Sequence, residues 1–167
     1  VQEQHESTER DRMRVAASRA LVETFRLSDS SDSEPQVAQK SQEAIASFRA
    51  AEDRRGEAEV FQVLSRRSFM AGNYQAAADY LQQARELWHA LGEYAAEASI
   101  LYRIANYLGR IGESEKTLAA LNDAVELEKT LGNRWAEAMA LDSLSDAYDS
   151  RGELQEALNA KRQALSV

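Results

Sequence analysis

The side chains that could do chemistry are few. The chain has two histidines, His5 and His89, and no cysteine. Thiol nucleophiles, thiolate metal ligands and disulfides are therefore excluded. Neither histidine has Cys, His, Asp or Glu around it at the spacing of a metal site. His89 stands beside Trp88 near the end of a helical stretch, where the helix dipole favours an imidazole. Asp142, Asp146 and Asp149 are spaced i, i+4 and i+7, which puts them on one helical face. Carboxylates fixed along a straight helix, with no turn loop between them, make a poor calcium site. Glu57, Glu97 and Glu137 recur at a constant interval, so they read as helix-start residues and not as an acid and base. Trp88, Trp135 and Phe48 read as packing between helices. No phosphate-cradling glycine loop and no nucleophile elbow occurs. The expectation is a chain without catalytic residue, cofactor or metal.

Composition and repetition indicate which elements carry these residues. With only 7 Gly and 1 Pro in 167 residues, and with Ala, Leu, Glu, Arg and Gln abundant, the chain is expected to be all-helical. Self-similarity then sets the architecture. Gly72, Gly112 and Gly152 are spaced by 40, as are Gly92 and Gly132. Phe61, Leu101 and Leu141 keep the same register, as do Leu64, Ile104 and Leu144, and Ala84, Ala124 and Ala164. Each unit reads as two helices. The first helices are expected near 55–70, 95–110 and 135–150, and the second near 74–91, 114–131 and 154–166. The glycines sit where a helix stops most easily in a left-handed turn. Ala77, Leu81, Ala84, Leu87, Trp88 and Leu91 form one apolar stripe at the helical period. The alanine column marks close approach of helices, and stacking is obligatory because one hairpin cannot bury its apolar faces alone.

The register also extends backwards, through Leu21, Ala44 and Phe48. This places a degenerate first hairpin at 8–52, after a frayed segment at 1–7. Its turn is expected at Ser28-Asp29-Ser30-Ser31-Asp32, with a capping box from Ser33 to Gln36 and Pro35 in the first helical turn. The regular units then occupy 53–92, 93–132 and 133–167, the last with a truncated second helix.

These columns resemble the tetratricopeptide repeat. Leu141, Leu144, Ser145, Tyr148, Gly152, Ala157 and Ala164 carry the pattern in one unit. Leu101, Ile104, Ala105, Leu108, Gly112, Leu121 and Ala124 carry it in another. Thr117, Lys161 and Ser68 depart from it. The long period resembles the kinesin-light-chain type of repeat. Thr8-Glu9-Arg10-Asp11-Arg12 with Val15-Ala16-Ala17, and Asp53-Arg54-Arg55-Gly56-Glu57-Ala58, resemble bacterial tetratricopeptide proteins that carry a CHAT domain, in which the repeats precede a caspase-like peptidase domain. The resemblance implies an all-α, right-handed superhelical stack of antiparallel helical hairpins.

It also implies a concave binding face lined by the first helices. Mapped onto this chain, that face holds Gln62, Arg66, Phe69, Tyr102, Arg103, Asn106, Asp142, Asp146 and Asp149. A peptide, helix or adjacent domain would lie along it, with the three aspartates favouring a basic partner. A net charge of −8 argues against nucleic acid and against an anionic membrane surface. No apolar run approaches a bilayer-spanning length. The resulting expectation is a non-enzymatic, cytoplasmic interaction scaffold, or an exported one if an upstream signal peptide exists. The competing expectation is a peptide-sensing regulator of bacterial signalling or transcription. The last helix, with Ala157, Leu158, Ala164 and Leu165, is expected to expose part of an apolar face and to pack against another copy.

Overall fold

The computed structural model describes residues 2–28 and 34–167, with side chains for 9–23 and 36–167. Eight helices follow in order: α1 (Gln2–Ser28), α2 (Glu34–Ala50), α3 (Arg54–Met70), α4 (Tyr74–Ala90), α5 (Tyr94–Arg110), α6 (Ser114–Leu131), α7 (Arg134–Ser150) and α8 (Leu154–Ser166). The frayed terminus expected at 1–7 falls on residues whose side chains are outside the described ones. The turn between α1 and α2, with the Ser33 cap, also lies outside the described residues.

Local chemistry sets the helix ends. Asp53, Asn73 and Asn133 each accept a hydrogen bond from the backbone N–H three residues on, at 3.0, 3.1 and 3.4 Å. Such caps satisfy an amide that has no partner inside the helix. The helices stop where glycine turns the chain: Gly72, Gly112 and Gly152 have φ of 75°, 76° and 76°. That region excludes most residues with a Cβ.

Each helix packs mainly on its sequence neighbours. The pairs α1/α2, α3/α4, α5/α6 and α7/α8 form hairpins, and each second helix then packs on the next first helix. The columns seen in the sequence become the core: Phe61, Leu101 and Leu141 are buried, as are Leu64, Ile104 and Leu144. Ala84 and Ala124 are fully buried at close helix approaches, while Ala164 is half-buried. Leu91 departs from the expected stripe and is exposed, because it caps α4 and lies beyond the last packed turn. Phe48 explains Gly56, since a Cβ at that position would stand 2.2 Å from the edge of the phenyl ring. The two later units have Ala96 and Ala136 there.

Polar groups tie the hairpins together. Glu57, in the first turn of α3, accepts from Arg49 Nε of α2 at 2.6 Å. Glu97, in the first turn of α5, pairs with Arg85 Nε at 3.1 Å and His89 Nδ1 at 2.9 Å, both from α4. Both carboxylates are buried. They stand at helix starts as expected, but they act across the joint and not only within their own helix. At the third joint Val125 and Lys129 replace the Arg85 and His89 positions. No ion pair involves Glu137 among the described residues.

A second set of links joins the first helices. Arg103 of α5 donates to Gln62 of α3 at 3.2 Å, and Phe69 stacks on Tyr107 with centroids 4.8 Å apart. Tyr102 of α5 donates its hydroxyl to the Ala136 carbonyl of α7 at 2.7 Å. Burial, and then the negative charge of Glu128, push the Tyr102 phenol above its ordinary range. Glu128 is itself only 6% exposed, and its Oε2 has no hydrogen-bond partner. In the two preceding second helices Phe48 and Trp88 occupy this position, and both are buried.

Two consequences are measurable. Removing a buried carboxylate with an unpartnered oxygen in favour of an apolar group stabilises by about 1–3 kcal/mol. Glu128→Leu is therefore expected to raise the denaturation midpoint, and a fall would show that the carboxylate has a stabilising role. Tyr102→Phe is expected to cost about 0.5–1.5 kcal/mol at neutral pH through loss of the link to α7. An unfolded phenol ionises near pH ~10, so the folded chain holds this proton where the unfolded chain has lost it. The stabilisation is complete below that pH and declines as pH rises above it. Tyr102→Phe should flatten the alkaline limb of the stability curve, measured by denaturation at stepped pH.

Candidate functional site

The first helices α1, α3, α5 and α7 form a row, and the side chains that motif mapping assigns to the concave face lie along it in three states. Arg66, Asn106, Asp146 and Asp149 are exposed. Gln62, Arg103 and Asp142 are half-buried and engaged: the first two with each other, the third with Lys161 of α8. Phe69 and Tyr102 are packed within the protein. Phe69 lies against Tyr107 and Tyr74, with the Arg110 guanidinium 5.5 Å from its ring centroid. Both aromatics join neighbouring hairpins.

Between α1, α3 and α5 the row opens into a cleft of about 460 Å³, lined by Leu21, Glu59, Gln62, Val63, Arg66 and Arg103. Leu21 and Val63 supply a buried apolar floor. Arg103 is oriented by its bond to Gln62, and its guanidinium keeps further N–H groups for other acceptors. No hydrogen bond or ion pair engages Arg66 among the described residues. Glu59, exposed on the same rim, is the one carboxylate among these lining side chains.

The opposite end of the row has the other sign. On α7, Asp146 and Asp149 face solvent beside Asp142. The hydrogen bond from Lys161 to Asp142, with the charges of Asp142 and Asp146, holds the Lys161 ammonium above its ordinary pKa. Lys161 occupies the position at which Leu81 and Leu121 are 0% and 4% exposed. At this position of α8 an ion pair stands where the two preceding second helices bury a leucine.

Two members of the row escape the sequence reading. Trp135 is 75% exposed, which overturns its assignment as a packing residue. Met139 is also exposed. They precede Asp142, Asp146 and Asp149 at i, i+4, i+7, i+11 and i+14, so they share that face. The spacing is present in the sequence, but residue type alone points to the core. Trp88, by contrast, is buried, with the Arg55 guanidinium 5.1 Å from its centroid. On α8, Ala157 is buried, while Leu158 and Leu165 are 54% and 82% exposed, so part of the apolar face is open.

No protein-family model and no curated protein matches the chain. Solved structures do share its architecture. BtubC (BKLC) from P. vanneervenii is similar with a TM-score of 0.61 at 17% identity, over 94% of this chain and 72% of that one. MamA is similar with a TM-score of 0.54 at 21% identity, over 81% and 80%. The nearly identical TPR-like repeats of a Podosopora anserina protein named for kinesin light chain give 0.53 at 15% identity, over 99% and 92%. At these identities the likeness is one of fold, and that fold is an all-α stack of antiparallel helical hairpins, a tetratricopeptide-like α-solenoid.

Proposed function

We propose that the chain is a non-enzymatic protein-interaction scaffold whose concave face, the row of first helices, receives a peptide, helix or adjacent domain. The carrying observation is that this row combines an open, apolar-floored cleft with exposed Trp135 and Met139 and with charged groups of both signs. Aromatic and methionine anchors beside polar groups that fix register are the ingredients of groove recognition. The exposed Asp146 and Asp149 make the α7 end the part that prefers basic residues. The tetratricopeptide-like architecture fits such a role. No helix among the described residues is long and apolar enough to cross a membrane. Nucleic acid remains disfavoured by the net charge of −8. The resemblance of 8–17 and 53–58 to CHAT-associated repeats supports a reading as the regulatory region of a larger bacterial protein of that type, with a 40-residue, long-helix repeat and a cytoplasmic setting.

Panning a random peptide library against the chain tests the groove. Enriched peptides are expected to bind wild type and to lose about tenfold or more in affinity to Trp135→Ala. They should be unaffected by Lys129→Ala on α6. An empty panning, or binders indifferent to Trp135→Ala, would sink this reading.

The α8 end carries a second contact surface. Leu158 and Leu165 occupy positions that hold Leu118 and Val125 in the preceding hairpin, both buried there. We read the exposed pair as a surface for self-association. Sedimentation velocity is expected to show a concentration-dependent shift that Leu158→Glu abolishes; a monomer at every concentration tested would refute it.

A further inference from the structure

The cleft between α1, α3 and α5 has a more specific chemistry than a general docking face, and its ligand preference rests on the groove being a binding site at all. Its floor is aliphatic, from Leu21 and Val63, and two guanidinium groups, Arg66 and Arg103, border it. Arg103 is held in place by Gln62, and Arg66 lacks a partner among the described residues. Against these two cations stands one carboxylate, Glu59, among the described lining residues, which together carry a net charge of +1 (two Arg minus one Glu) within a chain of net charge −8. A local cationic site in an acidic molecule attracts an anion that the rest of the surface repels. A guanidinium matches a carboxylate in planar, two-point geometry. A volume of about 460 Å³ with an apolar floor is more than a small inorganic anion would fill. It suits a carboxylate side chain together with an aliphatic neighbour.

The remainder of the row sets the rest of the pattern. Two helix steps separate α3 from α7, about 20 Å at roughly 10 Å per packed pair. An extended chain covers that distance in about six residues. There it meets Asp146 and Asp149, exposed and of opposite charge to the cleft. We infer that the groove reads a charge-patterned extended segment: a Glu or Asp beside an aliphatic residue seated in the Arg66–Arg103 cleft, and a Lys or Arg about six residues away over α7. The aliphatic side chain covers Leu21 and Val63, the carboxylate accepts from the two guanidinium groups, and Glu59 accepts from a backbone N–H of the segment.

The test uses the whole chain and blocked decapeptides without terminal charges. The reference peptide has Leu-Glu near one end and Arg six residues further on, in a Gly/Ser background. It is expected to bind measurably by fluorescence anisotropy, and more weakly as salt rises. Replacing its Glu by Gln should weaken binding by about tenfold to a hundredfold, the loss of charge-assisted hydrogen bonds. Arg66→Glu should invert the preference, so that the peptide with Lys in place of Glu binds better. Arg66 is exposed and has no partner among the described residues, so this variant should melt like wild type, which circular dichroism checks. Equal binding of the Glu, Gln and Lys peptides, or an unchanged preference in Arg66→Glu, overturns the inference. If peptides of other composition bind at Trp135 while this one does not, the charge-patterned reading fails and the groove reading stands. If no peptide binds at all, both fail.

Discussion

A two-helix hairpin has two apolar faces and can cover only one of them by itself. Everything else in this molecule answers that constraint. The second helix of each hairpin lies on the first helix of the next, so the core is a continuous seam and not a central mass. Along the seam, small buried residues such as Ala84 and Ala124 recur beside large ones such as Leu81 and Leu121. Glu57 and Glu97 show how the seam handles charge. Each is buried at a joint and matched by an arginine from the helix before it. Such pairs add little net stability over an apolar contact, but an unmatched carboxylate at that depth costs several kcal/mol, of order 3–5. They therefore constrain which second helix can precede which first helix.

The fold is legible because repetition turns weak signals into columns. A single glycine at position 72 says little, but the same residue at 112 and 152 locates three turns. The caps do not repeat in this way: Asp53, Asn73 and Asn133 accept from the first turn, whereas Glu93, Glu113 and Glu153 at the equivalent positions make no side-chain cap bond. What repetition cannot show is where the repeats differ from one another. Glu128 stands in a column of Phe48 and Trp88, and the sequence does not say that the position stays buried when its residue changes. Trp135 shares a column with Arg55 and Ala95, so its type, not its place, misleads. The cleft is illegible for another reason. It draws on Leu21 of α1 and Arg103 of α5, 82 positions apart (103 minus 21), and on a separation of helices that no residue pattern encodes.

Motif mapping names positions on the first helices, and the side chains there lie along one row. The mapping does not distinguish a side chain that presents itself from one that is already engaged. Phe69 and Tyr102 hold neighbouring hairpins together, while Arg66 and Asp149 are left open. Aromatic residues on such a surface serve the joint when a neighbouring ring or carbonyl lies within reach. They are open to a partner when, like Trp135, they stand clear of the joint. That distinction needs coordinates.

The links Gln62–Arg103 and Tyr102–Ala136 have a mechanical meaning. Each is a single hydrogen bond spanning two first helices. With the seam acting as a hinge, these bonds are struts that fix the angle at which one hairpin leans on the next. Opening a strut lets its joint flex without unpacking the core. A segment seated in the cleft would use the N–H groups that the Gln62 bond leaves over on Arg103, so it would brace the α3–α5 strut and not open it.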